Sequence, residues 1–548
     1  MRVLTARDDA LLIELDDLDQ AVALYESLLA DPVRGVGTPV PGARTLLVPF
    51  RPSAITARDL AAELRTRPLE RGTRSAARTV EIPVLYDGAD LAEAAALLGW
   101  STDELVRRHS AAAWTVGFVG FAPGFAYLTS DDPELVVPRR TTPRTQVPAG
   151  SVALAGPYSG VYPRQSPGGW QLLGRTDAPV WDVTRERPAL MLPGDAVRFT
   201  PTDTLSVQAA SPTTTGVDHS SCCHSGPTAG SNRCGHHRGL DVVSPGVQAV
   251  VQDLGRAGSE GAGVSASGAL DRPSLRAANR AVGNPADAAV VESVGGLRLR
   301  AHGPQVLAVT GAVGDVLVLP VSPGSAGRRP RRGEPFALDD GDELRLTAPA
   351  RGVRAYVAVR GGIDVPPVLG SRATDVLAGL GPDPLGAGDV LPVGAPDRGL
   401  PAAAPPLLRV PGGTGTADDL PAPGETTVLT IVLGPRDDWF DTAAIDLLTG
   451  QDWLVTPRSN RIGLRLAGEP LTRLPERRDT ELPSEGCVTG AIQVPPDGLP
   501  VLFLADHPLT GGYPVVGAVT ADHVPLAGQL PAGARVRFAI RNQPGGTS

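Results

Sequence analysis

The stretch from Pro138 to Pro148 reads PRRTTPRTQVP and sets Arg139, Arg140 and Arg144 among Thr141, Thr142, Thr145 and Gln146. A guanidinium is planar, permanently charged and able to grip a carboxylate or phosphate with two parallel N–H donors. The stretch therefore reads as an anion-recognition strip or, equally, as a solvated loop. Side chains two or four apart on an extended segment share a face, which would group Arg140, Thr142, Arg144 and Gln146. Upstream, Phe118 to Leu128 interleaves aromatic residues with Gly and Pro. Pro123, Gly124, Phe125 and Tyr127 suit a rigid apolar pocket wall, or an ordinary core strand and turn. Downstream, Gly168-Gly169-Trp170 follows Ser166-Pro167. Consecutive glycines let a ligand approach backbone N–H groups beside an aromatic ring.

The second half offers a sparser set. Asp253 and Asp271 could partner a metal or a hydroxyl, or else form Asx turns and helix caps. Later come Arg461 in SNRIG, Glu485 in SEG, Gln493 at the head of a strand and turn, and an Asp-His pair at Asp506 and His507. The run closes on Gly511-Gly512-Tyr513. The protein contains no lysine, so every one of its 50 basic side chains is arginine. A Walker lysine, a Schiff-base lysine and a biotin-carrying lysine are thereby excluded within this chain, and bound anions fall to arginine or backbone N–H groups. The net charge of −9 argues against a nucleic-acid partner.

The elements that must position these residues are short. With 65 Gly and 55 Pro in 548 residues, strands and tight turns are favoured over long helices, and the length suggests three to four domains. The fold class expected is mostly β with α+β parts. A small α/β layer of the split βαβ type is predicted over 1–78, with helices over Leu18–Ala30 and Thr56–Leu64. A barrel over 79–205 follows, entered through a helix pair at Asp90–Leu98 and Thr102–Ala113. Residues 206–240 read as a flexible linker rich in Cys, His and Ser, and two further barrels are expected over 241–400 and 401–548. Two echoes support duplication. Pro193–Phe199 recurs loosely in Asp340–Leu346 and Pro531–Phe538, and Gly168–Gly174 recurs in Gly511–Gly517. No apolar run long enough for a membrane span exists, and no secretory signal is read at the N-terminus. A cytoplasmic setting is the expectation, since four cysteines form no disulfide framework.

Ordered strings across the chain carry a family resemblance. PGFAYL, PRRTTPRTQVPAGSVALAG and SPGGWQLLGRT resemble the KipI family, the B component of 5-oxoprolinase, also called allophanate hydrolase subunit 1. SPGVQAVVQDLGR, GNPADAAVVE, GGIDVPPVLGSRATD, NRIGLRL, SEGCVTGAIQVPPDG and TGGYPVVG resemble the KipA family, the C component, also called allophanate hydrolase subunit 2. The chain is thus similar to a fusion of both, and to the carboxyltransferase region of urea carboxylase. The resemblance implies cyclophilin-like barrels and an ATP-dependent 5-oxoprolinase component, a hydrolase that activates 5-oxoproline for a separate LamB/YcsF-type A subunit. It implies ATP and Mg²⁺ as requirements, and a homo-oligomer is possible. On that reading Arg139, Arg140, Arg144 and Arg461, with the Gly-rich turns, would hold phosphates. Glu485 or Asp253 would hold Mg²⁺, and His507 would move a proton. The alternatives are a biotin-dependent carboxyltransferase, with biotin on another protein, and a regulatory binding protein. Two departures from the family pattern stand out: Ala126 replaces a proline, and His507-Pro508 replaces an Arg-Gln pair. Cys222, Cys223, His224, Cys234, His236 and His237 crowd the linker in a spacing that matches no zinc finger, and a fortuitous linker is the favoured reading.

Overall fold

A computed structural model of the chain describes residues 1–70, 78–205, 238–322, 326–397, 399, 419–478 and 480–541. Of the expected Cys/His-rich linker, residues 206–237 lie outside the described residues, while its end is corrected by the strand Gly239–Ser244. Among the described residues the protein is mostly β, with closed and nearly closed barrels.

The first 70 residues form a four-stranded antiparallel sheet. A hairpin of Arg2–Arg7 and Ala10–Glu14 pairs with Thr45–Pro49, and that strand pairs with Val40–Pro41. Two helices complete the layer. Leu18–Ala30 is capped by Asp17, whose side chain accepts from the Gln20 N–H, and Ala57–Arg65 is capped by Thr56, which accepts from the Asp59 N–H. This differs from the split βαβ order: the strand Arg2–Arg7 precedes it, and among the described residues no strand of this layer follows the second helix. Thr79–Val84 instead pairs in parallel with Ala196–Pro201 in a seven-stranded sheet. The two edge strands of that sheet meet through reciprocal backbone hydrogen bonds between Leu85 and Arg175, each 2.9 Å, so the sheet curls nearly shut.

The last unit, Thr426–Ile540, is a closed seven-stranded barrel with the same strand order. Its first and last strands, Thr426–Leu433 and Arg535–Ile540, again run parallel. In both units a helix precedes the second strand. The tryptophan opening that strand donates its indole N–H five residues back, Trp114 to the His109 carbonyl at 2.8 Å and Trp453 to the Leu448 carbonyl at 2.9 Å. Each unit also carries a two-stranded flap, Arg144–Val147 with Ser166–Gly168 in the first and Glu485–Gly486 with Thr510–Gly511 in the last. The sequence echoes therefore mark equivalent positions in two copies of one barrel. The middle echo does not. Glu343–Leu346 lies antiparallel between two neighbours, in a unit built as two five-stranded sheets facing each other across one core. Val242, Leu299 and Leu344 fill that core from one sheet, and Val251, Val291 and Val357 from the other.

The two halves of the chain share a core. Ala6, Leu12 and Leu47 of the N-terminal sheet pack with Val432, Cys487, Phe503 and Leu509 of the closed barrel. The Ala43 N–H donates to the Ser484 carbonyl at 2.8 Å, and a Cβ on Gly42 would lie 2.5 Å from that same oxygen. Elsewhere the Gly124 N–H donates to the Ala262 carbonyl at 3.0 Å, and Arg164 reaches the Leu377 carbonyl.

Candidate functional site

The polar residues of the second-half motifs converge where the sandwich meets the closed barrel. Arg461 has no solvent exposure. Its Nε and Nη2 donate to the two oxygens of Asp506 at 2.9 and 3.0 Å, Nη2 donates to the Gly268 carbonyl at 2.7 Å, and Nη1 donates to Glu292. Asp506 accepts further from Ser267 Oγ at 2.6 Å and the Val376 N–H at 3.1 Å. Glu292 accepts from the Tyr356 hydroxyl at 2.8 Å, and Arg354 stands 3.4 Å away. Burying a charge is tolerated when it is paired and its remaining hydrogen-bonding capacity is met, and Arg461 satisfies both conditions. Arg461 is therefore spent inside the fold. The expectation that it holds phosphate is corrected by its two carboxylate partners.

Asp253 is committed in the same way. It accepts from Ser371 Oγ and the Arg372 N–H, both at 2.6 Å, and from the Gly255 N–H at 2.8 Å. That is a loop-fixing role, with three donors already on its two oxygens, in place of the metal-ligand role expected. Among the described residues no group of three or more His, Cys, Asp or Glu side chains is arranged to hold a metal ion.

The arginine strip behaves differently from a free anion grip. Arg144 clasps the buried Asp90 with both terminal nitrogens, at 2.8 and 2.6 Å, and Arg140 adds a third bond to it at 2.7 Å. Asp90 also accepts the Leu172 N–H at 2.8 Å. Burial would raise its carboxyl pKa, but Arg144 and that N–H hold it below the usual value. Arg140 and Arg144 thus do share a face, through Asp90, while Arg139 and Gln146 are exposed. Behind them, Phe125, Tyr127, Tyr162 and Trp170 form an edge-to-face aromatic cluster with centroids 5.1–6.5 Å apart. Pro123, Gly124, Phe125 and Tyr127 are all buried, so they make core and interface and no open wall. Gly168 is required by space: a Cβ there would sit 2.3 Å from the Tyr162 hydroxyl, whereas Gly169 is unconfined, with nothing nearer than 3.7 Å.

The flap of the closed barrel repeats this arrangement with the charges exchanged. In the first flap Arg144 pairs across from Gly168, and in the last Glu485 pairs across from Gly511. Glu485 is buried against Arg436, whose Nε lies 3.0 Å from both carboxylate oxygens, and Arg436 also donates to Glu14 of the N-terminal sheet at 3.0 Å. Burial raises the Glu485 carboxyl pKa, while Glu485 and Glu14 keep the buried Arg436 firmly protonated. The expectation of Glu485 as a Mg²⁺ ligand is corrected by that pairing. Gly511 is confined as Gly168 is, with a Cβ 2.3 Å from Gln493 Nε2. Gln493 is buried and donates to the Tyr513 carbonyl at 3.3 Å. The Tyr513 ring is exposed, and Gly512 lies beside the Leu482 carbonyl.

His507 is buried and stacked on Phe503 at 5.4 Å. Nδ1 lies 2.8 Å from the Pro508 carbonyl, which can only accept, so Nδ1 carries the proton and Nε2 accepts from Thr489 Oγ1 at 3.1 Å. Burial lowers its pKa to about 4. The ring is neutral near pH 7 and both nitrogens are occupied, which corrects the direct proton-transfer role.

Two residues with left-handed backbone stand at this junction: Phe121 at φ 65° and Ser267 at φ 52°. For a bulky side chain this is strain, and strain of this kind concentrates at functional sites. Phe121 sits in the loop that bonds to Ala262, and Ser267 bonds to Asp506. A groove of about 340 Å³ between Val3–Thr5, Val432–Gly434 and Ile540–Arg541 is lined by none of the candidate residues. Asp90 and Arg436 escape a reading of the sequence alone, as does the buried pair Arg256 and Asp375, 3.8 Å apart. Arg256 and Asp375 end two of the motif strings, DLGR and SRATD, which is the signal that could have found them.

Comparisons with known proteins agree with this two-part construction. The carboxyltransferase domain, subdomain A and B, matches residues 262–540, and the carboxyltransferase domain, subdomain C and D, matches residues 1–191. The 5-oxoprolinase C subunit of Escherichia coli strain K12 is 35% identical over 309 residues, which is 55% of this chain and 90% of the relative. The 5-oxoprolinase B subunit of Escherichia coli O157:H7 is 51% identical over 127 residues, which is 23% of this chain and 58% of the relative. A crystal structure of TTHA0988 superposes with a TM-score of 0.77 at 33% identity, covering 97% of this chain and 99% of that one.

Proposed function

The chain belongs to the carboxyltransferase-domain family, with relatives among the B and C subunits of 5-oxoprolinase, and from that premise we propose that it supplies both of their roles in an ATP-dependent 5-oxoprolinase from one molecule. One observation carries the reading: the halves that resemble separate subunits share a core and exchange hydrogen bonds at Ala43–Ser484 and Gly124–Ala262. Motifs of both relatives therefore face one junction. In the proposed reaction the γ-phosphoryl group of ATP passes to the lactam oxygen of 5-oxoproline and ADP leaves. Water then adds to the activated carbon with a separate A subunit of the LamB/YcsF type, the ring C–N bond breaks to leave an acyl phosphate, and a second water cleaves that to glutamate and phosphate. Glu485 and Asp253 do not fit as Mg²⁺ ligands, so the ion would arrive on the nucleotide.

A second reading, carboxyl transfer, is favoured by the domain description itself. It needs biotin on another protein, because no lysine is present here. The two readings separate in a bacterium that keeps its 5-oxoprolinase A subunit but lacks the B and C subunits. Expression of this chain should restore growth on 5-oxoproline as nitrogen source. Failure to restore growth with soluble, folded protein would overturn the oxoprolinase reading.

A further inference from the structure

Where the N-terminal sheet rests on the closed barrel, their shared core opens into a groove of about 340 Å³. Val3–Thr5 of the sheet and Val432–Gly434 of the barrel line it, and Asp437, Ile540 and Arg541 complete the lining. Val432 belongs to the core that joins the two halves and Leu4 packs against it, so the groove continues an interface already made. The apolar lining runs out to the exposed Ile540.

Both walls carry strand edges that no strand covers. Arg2–Arg7 is the end strand of its sheet and pairs only with Ala10–Glu14. On the barrel side, Arg535–Ile540 runs beside Thr426–Leu433 only as far as Ile431, so Val432 and Leu433 are paired on one side alone, by Val515–Val519. An unpaired edge is a template for a further strand, and proteins blunt idle edges with charge, proline or a covering segment. The opposite edge of the same sheet is blunted in that way. Val40–Pro41 carries a proline, and Gly486 of the last flap packs on it, where a Cβ would lie 3.3 Å from the Val40 carbonyl oxygen. Val3–Thr5 carries neither charge nor proline. The arginines flanking it are engaged by acids of the chain, Arg2 by Glu14 at 2.7 Å and Arg7 by Asp9 at 2.5 and 2.8 Å. Arg541 likewise meets Asp8 and Asp522 at 3.0 Å each. Asp437 differs: among the described residues no basic side chain pairs with it, and burial and the neighbouring Asp438 push its carboxyl pKa up. A cation brought beside it would relieve both effects.

We propose that this groove seats an extended strand of a separate A subunit, which adds to the outer edge of Arg2–Arg7, lays apolar side chains against Val432, Leu433 and Ile540, and sets a basic side chain against Asp437. The proposal rests on the oxoprolinase reading, in which the two halves act with a third component. Main-chain hydrogen bonds along a sheet edge supply affinity, and the alternate side chains that enter a groove supply selectivity. A small molecule suits the lining less well, because small-molecule sites converge several polar groups, and here Asp437 is the one charged lining residue without a charged partner.

The test is calorimetric titration of the full chain with a purified LamB/YcsF-type A subunit, together with hydrogen exchange of the complex. Backbone amides of Val3–Thr5 should exchange more slowly in the complex than in the free chain. Leu433→Arg, which puts a charge into the apolar wall, and Asp437→Arg, which repels the incoming basic side chain, should each weaken binding by about tenfold or more. Val247→Arg, at an exposed turn outside the groove, should bind as the parent does. Should Leu433→Arg melt well below the parent, Asp437→Asn carries the test, because it removes only the charge, and it should weaken binding about two- to fivefold. Unchanged affinity in folded groove variants, Val3–Thr5 amides that exchange as before, or a parent that does not bind the A subunit, overturns the proposal. Parent dimers in sedimentation that Leu433→Arg breaks would assign the groove to a second copy of this chain and overturn it as well. Oxoproline-dependent glutamate release with full affinity in the variants would sink the groove and leave the oxoprolinase reading standing. Groove-dependent binding without such turnover would do the reverse.

Discussion

Arg461 shows how far a motif residue can be from the ligand its chemistry suggests. With Asp506 and Glu292 on either side, its charge is balanced internally, and removing it would leave two buried carboxylates unpaired. Arg461→Ala is therefore expected to cost about 3–5 kcal/mol of stability, read by urea denaturation; a loss below about 1 kcal/mol would contradict the network. Histidine supplies a second residue-level expectation. Burial lowers His507 to about 4 and His109 to about 3, whereas an unfolded histidine titrates near 6.5. Below that value the unfolded chain takes up protons that the folded chain refuses. Stability is thus fully present above about pH 6.5 and falls as pH drops toward 4, at up to roughly 1.4 kcal/mol per pH unit for each histidine. Melting temperatures of the parent and His109→Gln across pH 4–7 should show a shallower acid decline in the variant. Parallel curves would mean that His109 is not refusing a proton.

The flap hairpins belong to the element scale. Their charge exchange, Asp90 with Arg144 in one barrel and Arg436 with Glu485 in the other, fixes each flap to the loop after the first strand of its barrel. Arg144→Glu would set a carboxylate against Asp90 and should lower stability by about 2–3 kcal/mol, since charged hydrogen bonds are lost and like charges meet. Chemical denaturation measures this, and a neutral result would show that the clasp contributes nothing. These elements also mark what is legible in the sequence. The helix capped by Thr56, the helix pair before Trp114 and the Gly-Gly echo follow from local chemistry, because caps and turns act within a few residues. The partner of Arg144 is 54 residues away, and that of Arg461 is 169 residues away at Glu292. Residue type announces an anion partner in both cases, but only the fold decides whether that partner is a ligand or the protein's own carboxylate. Thr79–Val84 is legible as a strand at the start of the barrel region, but its alternating burial does not name its parallel neighbour, Ala196–Pro201.

At the scale of the whole molecule, the N-terminal sheet packs on the last barrel and the loop around Phe121 packs on the segment around Ala262, so each half completes surfaces of the other. No helix among the described residues is long and apolar enough to cross a membrane. The central claim is that the docked halves work as one oxoprolinase component. The direct measurement is glutamate release and ATP hydrolysis from 5-oxoproline in a mixture of this chain with a LamB/YcsF-type A subunit. The account predicts coupled production of glutamate and ADP in equal amounts, dependent on both proteins. ADP formation indifferent to 5-oxoproline, or no glutamate with both folded proteins present, would contradict it.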